Sequence, residues 1–152
     1  IKKEFSRVMS LKDGSKKMSK SELSDLSRIN LTDTNDEILN KIKKAKTDTL
    51  PMPSNIDELD KRLEAKNLIG IYCSLTGSTI ENSINKFSGS NFSEFKEKLA
   101  NELVEKISPI SAEIKKLLKE KNYLNDILLE GSEKASEIAS KKVKKIQEIM
   151  GF

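Results

Sequence analysis

Apolar residues recur at three- and four-residue intervals through most of this chain, and this spacing limits the possible folds more than any other feature. After Asp33 or Thr34, either of which can cap a helix, the spacing continues to about Lys46. The apolar face of this segment is formed by Ile38, Leu39, Ile42 and Ala45. A repeat near 3.6 residues is typical of an amphipathic helix, so we predict an all-α helical bundle for most of the chain.

Further helices are predicted along the rest of the sequence. Residues 67–75 are strongly apolar and end before Gly77, and Gly151 follows the last helix as a C-terminal cap. In the segment that starts near Ser93, Pro109 is expected to kink or break the helix because proline lacks a backbone donor. The other predicted helices cover residues 79–86, 110–118, 123–129 and 132–150. In the last of them we expect an inward face formed by Ala135, Ile138, Ala139, Val143, Ile146 and Ile149.

The front of the chain has a different pattern. Residues 2–10 alternate in character, with Phe5 and Val8 apolar among polar neighbours, which predicts a short strand. Residues 12–27 are rich in Ser and Lys, a composition typical of a loop, with one turn of helix expected after Ser21. The bundle is therefore expected to be preceded by one strand and one loop.

Histidine is absent from the 152 residues, and Cys73 is the single cysteine. A chain of this composition holds neither a Ser-His-Asp nor a Cys-His catalytic site, and no metal site is predicted. The formal net charge of +4 permits an anionic partner without requiring one. No apolar run approaches the roughly 20 residues needed to cross a bilayer, so no membrane partner is expected.

Residues 16–21, Lys-Lys-Met-Ser-Lys-Ser, form the most informative segment. Ammonium groups on such a loop can bind a polyphosphate, while hydroxyl and amide groups donate hydrogen bonds. Cations that approach phosphate oxygens as charge moves to a leaving pyrophosphate stabilise a transition state without an acid or a base. A surface loop without any function often has the same composition, and on composition alone that alternative is favoured.

The order of the residues adds a family resemblance. Residues 17–21 read KMSKS, the signature of class I aminoacyl-tRNA synthetases, and residues 7–11, RVMSL, resemble the strand before this loop in tryptophanyl-tRNA synthetases. Residues 29–48, which end in KIKKAKTD, and residues 67–72, NLIGIY, resemble later segments of the same enzymes. With GSEKASEIA from Gly131 onward, the resemblance covers nearly the whole chain.

Enzymes of this family use ATP with Mg²⁺ to activate L-tryptophan as an adenylate, and then transfer the tryptophanyl group to tRNA(Trp). The resemblance implies an ATP-binding set formed by Val8, Lys17, Met18, Ser19, Lys20 and Ser21. Within it, Lys17 and Lys20 would be catalytic, and Lys20 would help to stabilise the departing pyrophosphate. The two serines would donate hydrogen bonds, the methionine would lie near the nucleotide, and Val8 would contact adenine through its backbone.

The resemblance also implies that the chain is the C-terminal portion of a longer enzyme. Residues 1–30 would end an α/β Rossmann-like catalytic domain. Residues 31–152 would form a helical anticodon-binding domain, whose last helix can pack back on the catalytic domain. The tryptophan pocket is expected upstream of Ile1, so this portion alone would be inactive. The full-length enzyme would be a cytoplasmic homodimer, whereas this portion alone can be monomeric.

Lysine clusters on the predicted helices are candidates for contact with tRNA phosphates. The selected residues are Lys41, Lys43, Lys44, Lys141 and Lys145. Glutamates interleave with them, which is also typical of an ordinary solvated surface. Tyr72, Phe87 and Phe95 fall on apolar faces and are predicted core residues rather than platforms for base stacking. Two other functions stay open: a stand-alone tRNA-binding module derived from a synthetase, and a protein–protein interaction domain with an accidental KMSKS.

Overall fold

The computed structural model describes residues 7–151, and their regular secondary structure is helical. Within this range, one 3-10 turn, Asp25–Ser27, precedes six α-helices. These are α1 (Asn35–Lys43), α2 (Ile56–Asp60), α3 (Leu63–Thr76), α4 (Ile80–Phe87), α5 (Phe92–Leu117) and α6 (Lys121–Met150). The predicted all-α bundle is confirmed for the described residues, although α2 was not predicted.

The predicted strand is only partly open to comparison, since residues 2–6 and therefore Phe5 lie outside the described residues. From residue 7 onward, a single antiparallel bridge pairs Met9 with Lys17, and no longer strand forms in the part of the chain described. The expected loop is present. Its helical turn begins at Asp25 rather than directly after Ser21.

Local sequence signals set the helix ends. The Thr34 hydroxyl accepts a hydrogen bond from the Glu37 N–H, while the Glu37 carboxylate accepts one from the Thr34 N–H at 2.7 Å. Thr79 caps α4 in a similar way through its side chain. Gly77 and Gly151 end α3 and α6 with φ angles of 72° and 82°, a left-handed conformation that favours glycine. The predicted caps Thr34, Gly77 and Gly151 are therefore confirmed.

Two predicted interruptions are absent. α5 continues through Pro109, so the predicted break is absent there. α6 continues through Gly131, so the two helices predicted for residues 123–129 and 132–150 are one helix. Proline removes the donor for the carbonyl of Glu105, but both residues are exposed, and water can bind that carbonyl instead. One glycine costs a helix about 1 kcal/mol relative to alanine, which a helix of 30 residues can tolerate.

The described residues up to Ser111 form one compact unit with a continuous apolar core. Ile38 and Ile42 of α1 are fully buried in it. Leu39 was predicted for the same face but is 39% exposed, because each residue turns the helix by about 100° and carries this side chain off the buried face. The predicted core aromatics are confirmed, with ring centroids 4.9–6.0 Å apart: Tyr72, Phe87 and Phe95.

The described residues from Ala112 form a second unit, which contains the end of α5 and all of α6. No residue of α6 is buried. Ile138 and Ile149, from the face predicted to lie inward, are 68% and 76% exposed, so an inward orientation is not observed among the described residues. Between residues 7 and 151, none of the helices has the length and apolar character needed to span a membrane.

Candidate functional site

The residues before and within the predicted ATP loop form a short hydrogen-bonded hairpin around the Met9–Lys17 bridge. The Ser10 N–H donates to the Lys16 carbonyl at 2.8 Å, and the Met18 N–H donates to the Val8 carbonyl at 3.0 Å. The first half of the 17–21 loop is therefore held beside residues 8–10.

Asp13 and Gly14 make the turn of this hairpin. The Asp13 carboxylate accepts hydrogen bonds from the Ser15 hydroxyl at 2.6 Å and from the Ser15 N–H at 3.0 Å, and these bonds hold the pKa of Asp13 below its usual value. A Cβ atom on Gly14 would lie only 2.8 Å from backbone atoms of Leu63 and Glu64 at the start of α3. Glycine is therefore required where the turn meets α3, a role that the sequence did not reveal.

Lys17 and Lys20, the two lysines predicted to bind phosphate, are exposed. Within residues 7–151, neither side chain forms a hydrogen bond or an ion pair, whereas Lys16 pairs with the carboxylate of the turn at 3.4 Å. The Ser19 hydroxyl accepts a hydrogen bond from the Ser21 N–H at 3.3 Å. An exposed ammonium group without a partner can bind a phosphate oxygen without first breaking an ion pair.

A cleft of about 260 Å³ lies beside the loop. Lys12, Lys16, Lys17 and Ser19 line it, and these groups can donate hydrogen bonds to anionic oxygens. The Ser27 hydroxyl is buried at this cleft and has no hydrogen-bond partner among the described residues. Within residues 7–151, no group of three or more Cys, Asp or Glu side chains is arranged to hold a metal ion.

Asn67 of α3 contacts the segment that enters the loop. Its side-chain nitrogen donates to the Met9 carbonyl at 2.9 Å, and its side-chain oxygen accepts from the Met9 N–H at 2.9 Å. The amide group thus pairs with the backbone as a neighbouring strand would. Val8, predicted to contact adenine, is 41% exposed and borders a cleft of about 240 Å³ that Asn67 also lines. Asn67 therefore positions the entry to the loop.

Leu11 joins the segments on either side of the loop to the end of α1. Its N–H donates to the Ser27 carbonyl at 2.9 Å, and its carbonyl accepts from the Lys46 N–H at 2.7 Å. The Leu11 side chain is only 2% exposed and belongs to the apolar core. Leu11 is consequently part of the packed unit, whereas Lys17 and Lys20 are exposed outside the core.

Lys41 of α1 lies at the exit from the loop. Its ammonium group donates to Asp33 and to Asp25, each at 2.6 Å. Asp25 also pairs with Arg28 at 2.9 Å and accepts from the Asn30 amide at 3.0 Å. Burial opposes the charge on Lys41, yet its hydrogen bonds to the two carboxylates leave its pKa raised. The hydrogen bonds from Lys41 and then Asn30 lower the pKa of Asp25.

The lysines predicted to bind tRNA lie in two kinds of environment. Lys41 is 3% exposed, so its ammonium group is held inside the protein rather than offered to a partner. The other four are exposed: Lys43, Lys44, Lys141 and Lys145. Of these, Lys141 forms an ion pair with Glu137 at 2.7 Å. Fewer lysines near α1 are therefore available to bind RNA than the lysine run in the sequence suggests.

Sequence reasoning did not identify Asn67, Asp25 or Arg28 as site residues. Signals for the supporting residues were present in the helical spacing. Lys41 follows Ile38 by three positions and therefore shares the buried face of α1, while Asn67 opens a strongly apolar run. A polar side chain on an apolar face requires a hydrogen-bond partner, which the spacing alone does not identify.

Comparison with known proteins places these features in a family. A family model described as tRNA synthetases class I (W and Y) matches residues 3–112. Tryptophan–tRNA ligases from Rhizobium meliloti and Brucella melitensis are 49% and 45% identical over 146 residues, which is 96% of this chain and 41% of each relative. The tryptophan–tRNA ligase of Rickettsia felis is 47% identical over the same length, or 44% of that protein. The chain thus spans less than half the length of these relatives.

A solved structure has the same fold. The crystal structure of tryptophanyl-tRNA synthetase from Mycoplasma pneumoniae matches with a TM-score of 0.70 at 22% sequence identity. The match covers 96% of this chain and 45% of that one. At this identity the likeness demonstrates the architecture alone.

Proposed function

Because the chain belongs to the class I tRNA synthetases of the W and Y family, we propose that it is the C-terminal portion of a tryptophan–tRNA ligase. The relatives named above support tryptophan as the amino acid. The observation that carries the proposal is the KMSKS loop itself. Its lysines, Lys17 and Lys20, are exposed and unpaired within the described residues. Lys17 lies opposite Met9 in the hairpin, and Lys20 follows just after it.

In the proposed first step, the carboxylate of L-tryptophan attacks the α-phosphate of ATP, and pyrophosphate leaves. The Mg²⁺ enters bound to ATP as part of the substrate. Lys17 and Lys20 bind the phosphates, and Lys20 follows the charge that accumulates on the departing pyrophosphate. This stabilisation is electrostatic, so it requires no group that titrates near neutral pH within this chain.

The other members of the proposed ATP set lie around these lysines. Ser19 and Ser21 donate hydrogen bonds to the phosphates, and Met18, which packs partly against the core, lies near the nucleotide. The proposed contact with adenine is made by the backbone of Val8, whose carbonyl also accepts a hydrogen bond from the Met18 N–H. The Asn67 amide holds the adjoining residue, Met9, in place for this contact.

In the second step, the 2′-hydroxyl of the terminal adenosine of tRNA(Trp) attacks the tryptophanyl carbonyl of the adenylate, and AMP leaves. We propose that Lys43, Lys44, Lys141 and Lys145 contribute to tRNA binding, since their ammonium groups are exposed. Such contacts release counterions, so affinity for tRNA should fall steeply with salt concentration. Lys41 is omitted from this surface because its charge is already balanced by the buried carboxylate of Asp33 and the exposed carboxylate of Asp25.

The rest of the proposal concerns the longer protein. Residues 1–30 end its catalytic domain, residues 31–152 form the anticodon-binding domain, and the enzyme is a cytoplasmic homodimer. The exposed apolar side chains of α6 support packing of this helix on the catalytic domain, since more than half of each relative lies outside the matched region. This portion alone supplies the phosphate loop and the tRNA-binding helices and has no ligase activity.

The test is amino-acid-dependent exchange of pyrophosphate into ATP by the full-length protein. Exchange with tryptophan, and not with tyrosine, is the expected result. Exchange with tyrosine alone would show that the protein is a tyrosine–tRNA ligase, the other kind of enzyme in this family. A folded protein that exchanges with no amino acid, yet binds tRNA in a salt-dependent manner, would instead be a tRNA-binding module derived from a synthetase.

A further inference from the structure

We propose that Lys41 is a positioning residue for the KMSKS loop, acting through Asp25 and Arg28 on the backbone at the exit of the loop. The inference rests on the proposed function, because it assumes that the loop acts on ATP. The sequence pattern predicted that Lys41 binds RNA. We infer instead that its buried ammonium group helps to position the loop for the adenylation step.

The first link joins α1 to the segment after the loop. Lys41 lies between Ile38 and Ile42 on the core side of α1, and its ammonium group is fixed by Asp33, only 6% exposed, at 2.6 Å. The same ammonium group donates to Asp25 at 2.6 Å. Because the first of these ion pairs is buried, the position of the ammonium group is set by the packed helix, and Asp25 is held to that position.

The second link runs from Asp25 back to the signature residues. Asp25 pairs with Arg28 at 2.9 Å, and Arg28 donates to the Glu22 carbonyl at 2.9 Å. The Glu22 N–H in turn donates to the Ser19 carbonyl at 3.4 Å. An unbroken series of ion pairs and hydrogen bonds therefore extends from the core face of α1 to the backbone of the KMSKS loop.

The entrance of the loop has contacts of its own, and the Leu11 N–H also joins it to the Ser27 carbonyl on the exit side at 2.9 Å. Asn67 of α3 pairs with the backbone of Met9, and the Leu11 carbonyl accepts from Lys46 just after α1. Loss of Asp25 should therefore loosen Arg28, which keeps its hydrogen bond to Asn30 at 3.1 Å, and with it the exit of the loop, while the entrance stays in place. This separation makes the contribution of Lys41 measurable without unfolding the hairpin.

The chemistry of position 41 also argues for a role beyond stability. An ion pair removed from water is expensive, and apolar residues of similar volume often stabilise a protein as well or better. Met at position 41 would suit the apolar face of α1 but would leave Asp33 without its cation and Asp25 without its link to the helix. What the ammonium group supplies, and an apolar side chain cannot, is a fixed connection between α1 and the exit of the loop.

Hydrogen exchange in the full-length protein without substrates tests the link directly. Asp25→Asn should speed exchange of amides in residues 19–24 about tenfold, because a charge-assisted contact is lost. Exchange in α1 and α3 should not change, since the buried pair of Lys41 with Asp33 remains. The matched control, Asp36→Asn, removes an exposed carboxylate from the first turn of α1 and should leave the loop unchanged. Equal loop exchange in wild type and Asp25→Asn would overturn the inference.

Single-turnover kinetics of the same full-length variants give the second readout. Asp25→Asn should lower the rate of adenylate formation about tenfold and change the Kd of ATP by less than about twofold, since the lysines remain but are less well positioned. Lys41→Arg should retain most of the rate and Lys41→Met should not, provided that melting curves show both to be folded. If Lys41→Met does not fold, Asp25→Asn decides alone. An unchanged rate in that variant contradicts the inference.

Failure of the inference and failure of the proposed function give different results. If wild type catalyses tryptophan-dependent exchange and the loop is indifferent to Asp25, the proposed function stands and the positioning role falls. If wild type shows no exchange with any amino acid, the proposed function falls. The hydrogen-exchange result then still reports whether Lys41 and Asp25 hold the loop.

Discussion

Lysines at two places in this molecule have the same chemistry and opposite surroundings. Lys17, opposite Met9 in the hairpin, and Lys20, just after it, are exposed and unpaired within the described residues. Lys41 is 3% exposed and bound by two carboxylates. The exposed pair can bind a substrate, whereas the buried lysine can only hold protein groups together. A cationic loop that binds phosphates needs fixed residues on either side of it, and here the helices hold those residues.

If the helical core is the foundation of the loop, removing its largest fully buried side chain should have the largest effect. Phe95→Ala leaves a cavity where Phe95 packs against Tyr72 and Phe87, and it should lower the free energy of unfolding by about 3–5 kcal/mol. Urea denaturation gives the value. Lys98→Ala, an exposed change in the same helix, is the control and should stay within about 0.5 kcal/mol of wild type.

The contact between the hairpin and α3 should show the next largest effect. Gly14→Ala places a methyl group 2.8 Å from the backbone of Leu63 and Glu64, so either the turn or the start of α3 must move. We expect a loss of about 1–3 kcal/mol in unfolding free energy. A variant as stable as wild type would mean that the base of the loop is not firmly packed on α3.

A smaller effect is expected for the ion pair between Asp48 and Arg62, whose side chains meet at 2.6 and 2.8 Å. The hydrogen bonds from Arg62 hold the pKa of Asp48 below its ordinary value of 3.8, despite the opposing effect of burial. The Asp48 side chain is 37% exposed, so water screens the ion pair, and Asp48→Asn should cost only about 0.5–1 kcal/mol at neutral pH.

The pH dependence of this effect has a definite sign. A lowered pKa in the folded protein adds stability above pH 3.8, and that stability is lost as the pH falls through the lower, folded value. The difference between wild type and Asp48→Asn should thus shrink below about pH 3.8. Melting temperatures measured from pH 7 downward test this. A constant difference, or one equal to that of the exposed control Asp126→Asn, would show that the pair does not contribute.

The smallest expected effect has the opposite sign and lies in the second unit. A methyl group at Gly131 meets nothing within 4 Å, and the residue lies inside α6. Gly131→Ala should stabilise α6 by about 0.5–1 kcal/mol, because alanine loses less backbone entropy in a helix. Helicity by circular dichroism during thermal unfolding is the measurement. Destabilisation would indicate that the glycine meets a neighbour outside the described residues.

Helix type and several helix ends could be predicted from the sequence because they depend on local chemistry. Thr34, Gly77 and Gly151 each act within one turn of the chain, where the sequence holds the whole explanation. The effects of Pro109 and Gly131 were predicted wrongly because they do not depend on local chemistry alone. Whether a helix survives a poor residue depends on its length and on water reaching the freed carbonyl, and both are properties of the finished structure.

The candidate site divides in the same way. The residues of the KMSKS loop are contiguous, so their family resemblance could be read directly. Asn67, which contacts Met9 before the loop, and Lys41, which contacts Asp25 after it, are distant along the chain and reach these segments only after folding. The lysine run at residues 41–46 gave no sign that its first member is buried, except through its spacing from Ile38. The lysine run indicated an RNA-binding surface, whereas in the structure Lys41 is buried and bound to Asp25 and Asp33.

The most direct test of the account is single-turnover formation of the adenylate by full-length Lys20→Ala. The account predicts a fall of about 10²–10³-fold in rate, with the Kd of ATP changed by less than about threefold, because Lys20 acts on charge that develops in the transition state. The exposed control Lys61→Ala should match wild type in both quantities. An unchanged rate for Lys20→Ala would contradict the account and leave the loop without a catalytic role.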